Sequence, residues 1–475
     1  MTKEDLKSRG NNRSQQPTSS GFREFIGSGW GTRTSTVERY EVADYLAARH
    51  ELVSQRFPGE RLVIPAGGYK TRNNDCDYRF RAHSAFAHMT GLGAELEPDA
   101  VLVLNPVDGG HEATLYFHPC APRSSEEFYA DSRYGEFWVG ARPTLEEMSR
   151  MTGLRCDSID NLPDALAKDL GQVALRVVPQ SDARIESEVH ELRVRAEIAA
   201  NAEEADAELS EALSEIRLCK DAWEAREMQS AVNRTREGFD NIIASFPRAI
   251  GHRRGERVVE GAFGAKAREE GNGLGYDTIA AAGNHANTLH FIDNDGTLKP
   301  GELILVDAGI EVDSLYTADI TRTLPINGTF SQPQAEVYQA VLDAAEYALE
   351  VAQKPGCKFR DIHAAAMEVI ADRLEKWGVL PGTAAESLQP ENQWHRRWMP
   401  HGTSHHLGLD VHDVAPPHEA VAEGMVFTIE PGIYIREEGI GIRLENDVLI
   451  GKDANIDLMG NIPIEADDIE ALMNA

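Results

Sequence analysis

Cysteine is scarce in this chain, five residues in 475, and no two of them form a CxxC pair. An odd, scattered set (Cys76, Cys120, Cys156, Cys219 and Cys357) argues against a disulfide framework and a zinc ribbon. It predicts buried, reduced thiols acting as small hydrophobes. Long apolar runs are missing too. Nothing approaches the roughly 20 residues needed to cross a bilayer, so no membrane span is expected. Residues 1–21 are polar throughout and contain no apolar segment of the signal-peptide kind, which makes the cytoplasm the expected location. A concentrated stripe of lysine and arginine is also absent. With 47 basic against 78 acidic residues the net charge is −31, the opposite of a nucleic-acid footprint. Such acidity favours solubility, and part of it is available to hold cations.

What is present divides into segments. The length predicts two domains. Residues 1–36, rich in Ser, Asn, Gln and Gly, are expected to be disordered. Residues 37–180 alternate between helical and strand patterns. An amphipathic helix is predicted over 37–57, with buried strands over 61–65 and 100–106. The second strand turns at Asp108-Gly109-Gly110 into a partner over 113–118, giving an αβ domain with a mixed sheet. Residues 181–222 are dominated by Ala, Glu, Arg and Leu and predict a helical linker, one long helix over 181–220. A second domain, 223–465, opens with a helix carrying Met228, Val232, Phe239, Ile242, Ile243 and Phe246 at core spacing. After Arg254 the pattern reads as strands with loops rich in Gly and Asn. Helices are expected over 333–353 and 360–377, a surface loop over 381–393, and strands over 424–450.

Chemistry concentrates near the C-terminal end. The strand over 302–310 (ELILVDAGI) carries Asp307, and a second over 314–324 carries Asp319 in ADITRT. Burying one acid in an apolar strand is costly unless it is paired or holds a cation, and two on neighbouring strands point more firmly to cations. Four of the sixteen histidines follow within twelve residues: His401, His405, His406 and His412. Neutral imidazole binds metals and titrates near neutrality, so this cluster predicts ligands or proton carriers. Two later strands carry Glu430 in TIEPG and Glu445 in GIRLEND, and Arg443 shares a strand face with Glu445. Four carboxylates brought together repel one another severely without cations. Two divalent ions neutralise them, with His405 as the natural nitrogen ligand. Oxygen-rich ligation with one imidazole favours Mn²⁺, with Co²⁺, Fe²⁺ and Zn²⁺ as alternatives. Two metals sharing a water generate hydroxide near neutral pH, a nucleophile for an amide carbonyl.

Taken in order, VDAG, ADITRT, HGTSHHLGLDVHD, TIEPG and GIRLEND resemble the metallopeptidases of the pita-bread fold, and among them aminopeptidase P most closely. The likeness runs from about residue 37 onward. It implies an α/β (α+β) protein with an N-terminal mixed-sheet domain of the creatinase/prolidase type and a C-terminal pita-bread catalytic domain. The implied activity is release of an N-terminal residue linked to proline, and the implied substrates are peptides with proline second. By the same resemblance Asp307, Asp319, His405, Glu430 and Glu445 are the metal ligands. Asp319 and Glu445 bridge, and Glu430 also takes a proton from the attacking water. His290 assists near the scissile bond, and His412 holds the substrate carbonyl. Arg443 and Tyr434 line the site, His401 lies near the proline pocket, and a homo-oligomer, dimer or tetramer, is implied. The segment over 75–92 departs from the family pattern NSDFWYFTG: Ala85 stands where relatives carry an aspartate able to reach a neighbouring subunit's site, and His88 stands where an aromatic is common.

The nearest alternative is prolidase, which uses the same metals on dipeptides and needs a cation for the proline carboxylate; Arg396, Arg397 and Arg436 are the candidates. Methionine aminopeptidase usually lacks the large N-terminal domain. A non-catalytic binding module and the metal-free creatinase reaction are both disfavoured by an intact ligand set.

Overall fold

A computed structural model describes residues 19–474 except 32, 75, 95–96, 415–419, 453–455 and 460–461. The chain separates into two compact units, Met1–Ile216 and Arg217–Ala475.

The expectation of disorder over residues 1–18 and 32 lies outside the described residues. Beyond them, α1 (Ser20–Ile26) is helical, because the Ser19 side chain caps it by accepting from the Phe22 N–H. Phe22 also packs edge-on against Tyr129 at 5.8 Å. The helix expected over 37–57 is shorter: a 3₁₀ turn (Glu41–Asp44) precedes α2 (Leu46–Arg56). The sheet comprises β1 (Arg61–Pro65), β2 (Val101–Val107), β3 (Gly110–Phe117), β4 (Arg155–Ser158) and β5 (Leu175–Val177), in the order β4-β3-β2-β1-β5. Its central pairings are antiparallel and its two outer pairings parallel, the mixed sheet expected. All of β1 is buried, as befits a strand covered on both faces.

The predicted linker helix is two helices, α3 (Ala183–Arg195) and α4 (Ala202–Leu218). Between them Glu197 and Asn201 adopt left-handed backbone, φ 60° and 59°. Good helix formers lose here to tertiary structure. The Arg193 guanidinium on α3 clasps Asp206 on α4 at 2.5 and 2.8 Å, and Asp206 also accepts the Val177 N–H of the sheet.

The second unit opens with α5 (Ala222–Ala249), capped by Asp221 and Glu224 in a reciprocal box. The segment after Arg254 is not a strand but α6 (Gly255–Glu270). Interior glycines and the absence of a side-chain cap hide it in the sequence, while Val259, Phe263 and Ala267 bury at helical spacing. Gly238 makes this pairing possible: a Cβ there would lie 2.4 Å from the Phe263 ring. Strands β6 (Ile279–Ala282), β7 (Leu303–Ala308) and β8 (Ile320–Pro325) form an antiparallel sheet ordered β8-β7-β6. The strand expected from residue 314 therefore begins at Ile320. Helices α7 (Gln332–Ala352) and α8 (Phe359–Lys376) follow, and a short helix (Ala384–Ser387) interrupts the loop expected over 381–393.

The C-terminal strands are broken twice. Strand β9 (Val426–Ile429) pairs with β12 (Asn446–Leu449), whereas β10 (Gly432–Ile435) pairs with β11 (Ile440–Arg443). The chain changes sheets at Glu430-Pro431 and again at Leu444-Glu445. Of the five cysteines only Cys357 is buried, and none is disulfide-bonded. The thiols are thus not the uniformly buried hydrophobes expected, although the absence of a disulfide framework is as expected.

Candidate metal centre

Backbone geometry delivers the four carboxylates to one place. Asp307 lies on β7 in register with Ile279 of β6 and Thr321 of β8. Asp319 sits just before β8, its N–H donating to Asp447 Oδ2 at 3.1 Å. Gly309 is required between them: a Cβ there would lie 1.8 Å from the Ala318 carbonyl oxygen. Glu430 and Glu445 occupy the two sheet-switching positions, where a strand interrupts its ladder and frees its side chain to turn inward. The Glu445 N–H donates to the Thr321 carbonyl at 3.1 Å, and its Oε2 accepts from Thr321 Oγ1 at 2.6 Å. The histidine segment runs along the free edge of β9, with the Glu430, Thr428 and Leu407 N–H groups donating to Thr403, His405 and Val426 carbonyls.

The side chains close into a ring of eight. His401 Nε2 lies 2.7 Å from Tyr434 Oη, which accepts from Arg443 Nη1 at 3.1 Å. Arg443 Nη2 donates to Asp307 Oδ2 at 2.5 Å. Tyr276 Oη bridges Asp307 Oδ1 at 2.7 Å and Asp319 Oδ1 at 2.5 Å. Asp319 Oδ2 is 3.3 Å from His405 Nε2, which is 3.5 Å from Glu430 Oε1. Glu430 Oε2, 3.8 Å from His401 Nδ1, completes the circuit. Glu445 joins it from Thr321, which also accepts from Arg443 Nε at 3.2 Å.

Charge in this ring is unbalanced. Four carboxylates face one guanidinium. Burial and the neighbouring Asp307 push the Asp319 carboxyl up, and burial with Asp319 and Glu430 nearby pushes Glu445 well up. Burial raises Glu430 to about 7. Burial disfavours the charge on His405, but its bond to Asp319 outweighs this and carries it to about 9. Burial beside Arg443 drops His401 to about 3. Without cations the site therefore gathers protons. Its donor set fits divalent ions: hard carboxylate oxygens, one imidazole, and ligand atoms of Asp319, His405 and Glu445 all within 4.8 Å of one another. Opposite Arg443, one divalent ion leaves the four carboxylates net negative and two turn the site net positive, which suits activation of water for nucleophilic attack.

The ring opens onto a cavity of about 520 Å³ lined by His290, Asp307, Asp319, His401, His405, His412, Glu430, Arg443 and Glu445 among others. Of the ten residues to which the resemblance assigned roles, all but Tyr434 line it, and Tyr434 supports it through His401 and Arg443. His412 meets the His405 ring edge-on at 4.5 Å. The histidine cluster divides: His406 turns away and stacks on Phe359 at 4.5 Å, and burial drops it to about 4.

Sequence reasoning passed over Tyr276, Thr321 and His363. Thr321 was recoverable, two residues from Asp319 in ADITRT. Tyr276 and His363, whose Nδ1 lies 2.7 Å from Thr403 Oγ1, come from segments with no local signal. A second carboxylate–histidine group, Glu256, His285 and Asp295, is otherwise engaged, since the Glu256 oxygens already accept from the Ala282 and Gly296 N–H groups.

Comparison with known proteins agrees with this geometry. The profile of metallopeptidase family M24 matches residues 226–452, and that of the aminopeptidase P N-terminal domain matches residues 45–178. The chain is 43% identical over 464 residues to Xaa-Pro aminopeptidase 1 of Streptomyces coelicolor, covering 94% of this chain and 91% of that one. It is 33% identical to the Xaa-Pro aminopeptidase of Haemophilus influenzae over 90% of this chain and 96% of that one. Among solved structures, E. coli aminopeptidase P in its low-pH form superposes with a TM-score of 0.79 at 28% identity, covering 93% of this chain and 99% of that one.

Proposed function

The chain belongs to the Xaa-Pro aminopeptidases of metallopeptidase family M24, and from that premise we propose that it releases N-terminal residues linked to proline by dinuclear metal catalysis. The observation that carries the reading is the closed ring of acids and imidazoles, whose Asp319, His405 and Glu445 donors converge within 4.8 Å.

In this reading Asp307, Asp319, His405, Glu430 and Glu445 would hold two divalent ions, Mn²⁺ in the first instance and Co²⁺, Fe²⁺ or Zn²⁺ as substitutes, with Asp319 and Glu445 as the acids assigned to both. When bound, the ions supply Lewis-acid activation of the water that attacks the amide carbonyl. Glu430, at the cavity wall beside His405, takes the water's proton and returns it to the leaving proline nitrogen. His412, beside His405 at the cavity wall, donates to the substrate carbonyl oxygen as charge develops there. His290 contacts the substrate near the scissile bond. His401 and Tyr434, paired at 2.7 Å, form the proline end. Arg443 orients Asp307 and holds Tyr434 in place. A cytoplasmic homo-oligomer, dimer or tetramer, completes the reading.

The aminopeptidase is favoured over the dipeptidase by the cavity wall. Among the described residues lining it, Arg443 is the one lysine or arginine, and it is spent on Asp307. Arg396, Arg397 and Arg436 are absent from that wall. Arg396 donates to the Pro400 carbonyl, Arg397 pairs with Glu437, and Arg436 donates to the Asn287 carbonyl. Among the described residues of that wall, a free proline carboxylate therefore meets no uncommitted lysine or arginine.

The test is hydrolysis of Xaa-Pro-Yaa tripeptides and Xaa-Pro dipeptides with Mn²⁺ and with chelator. Chelator-sensitive cleavage of the tripeptides is expected. Cleavage of dipeptides alone would make the protein a prolidase.

A further inference from the structure

The ring has two ends. His401 and Tyr276 hold opposite positions in this circuit, four links apart by either route, and both line the cavity. On the reading above, which this inference rests on, His401 and Tyr434 take the proline, and the Tyr276 side therefore takes the residue before it.

That side has its own chemistry. Asp277 follows Tyr276 directly and lines the cavity with Leu289 and Ile292. Asp277 and Ile292 are both exposed, Ile292 at 49%. The ring carboxylates of Asp307, Asp319, Glu430 and Glu445 are each engaged by a hydroxyl, guanidinium or imidazole. Asp277 has no hydrogen-bond or ion-pair partner among the described residues. Tyr276 cannot supply one, because its hydroxyl is committed to Asp307 and Asp319.

We infer that Asp277, Leu289 and Ile292 form the subsite for the first side chain and select peptides whose first residue is arginine or lysine. An aliphatic wall ending in an uncommitted carboxylate matches a long aliphatic stem ending in a cation. The aliphatic pair covers the stem, and Asp277 meets the guanidinium or ammonium. The protein's net charge of −31 adds attraction for cationic peptides at low ionic strength. An acidic first residue faces repulsion at the same point.

The experiment compares kcat/KM for Arg-Pro-Ala, Leu-Pro-Ala and Glu-Pro-Ala with the Mn²⁺-loaded full chain. The Arg over Leu ratio is expected to be about fivefold, the upper end for one exposed charge pair. In Asp277→Asn that ratio should fall to about one, and in Asp277→Lys the preference should turn to Glu-Pro-Ala. Equal cleavage of the Arg and Leu peptides by the unaltered protein would overturn the subsite while leaving the Xaa-Pro reading intact. A uniform loss in Asp277→Asn with the ratio preserved would overturn it too, placing the carboxylate on the α-amine common to all substrates. If no Xaa-Pro peptide were cleaved, the functional reading would fall, and the subsite with it.

Discussion

Arg443 Nη2 donates to Asp307 Oδ2 at 2.5 Å across 136 positions of sequence. Around this contact, burial and mutual repulsion push the neighbouring Asp319 and Glu445 toward protonation. It also commits the one guanidinium that lines the cavity among the described residues. The ring thus consists of acids waiting for cations, with the positive charge already inside it committed.

Loss of a shared acid should therefore cost the metals before it costs the fold. Asp319→Ala and Glu445→Ala are expected to release bound metal and reduce turnover to background, with circular dichroism unchanged. Metal content by elemental analysis, measured beside activity, checks this. Near-normal turnover in either variant would remove that residue from the bridging role.

Tyr276 makes a finer test, because its hydroxyl touches two acids without being a ligand in the proposed set. Tyr276→Phe should weaken metal binding by about 10–100-fold, the usual cost of removing a group that orients ligands. A metal titration followed by calorimetry reads the shift. Unchanged affinity would mean the two carboxylates are held in place by the strands alone.

His412 is assigned to charge developing in the reaction. His412→Ala should lower kcat by about 10²-fold with metal content retained. An effect confined to KM would make it a residue that binds substrate equally before and during the reaction.

Protonation of the metal-free site makes stability depend on pH. Glu430 rises from an ordinary 4.5 to about 7 in the folded chain. Between those values the folded state binds more protons than the unfolded state, so stability falls as pH rises. The contribution is fully present below about 4.5 and lost as pH climbs through about 7. His401 and His406, lowered to about 3 and about 4, act in the opposite sense over part of this window, so the test is a difference: chelator-treated Glu430→Gln should gain melting temperature relative to the unaltered protein on going from pH 5 to pH 7. A difference between the two proteins that does not change with pH would contradict the assignment.

Much of this was legible along the chain. Strand β1 matched its expected span, α7 and α8 fell within a residue of theirs, and α5 carries the expected core stripe, because apolar periodicity and capping residues act locally. The acids and histidines were legible because charged residues among apolar strand neighbours are costly and need a reason. The misses share one cause. The break between α3 and α4 is set by Arg193 meeting Asp206, and α6 is set by Phe263 packing over Gly238. Both depend on partners remote in sequence or in another helix, which local propensity cannot register.

The sequence by itself determined which groups were available for chemistry: the four carboxylates, the imidazoles, and the glycine that lets the Asp307 and Asp319 segments approach. The tertiary structure alone decided which of them meet. Sheet switching at Glu430-Pro431 and Leu444-Glu445 turns both glutamates inward. Packing sends His406 to Phe359 and leaves His401, His405 and His412 at the cavity. A carboxylate's burial penalty is written in its neighbours along the strand, but for Asp307 and Glu445 the partner that offsets it, Arg443 or Thr321, lies more than a hundred residues away.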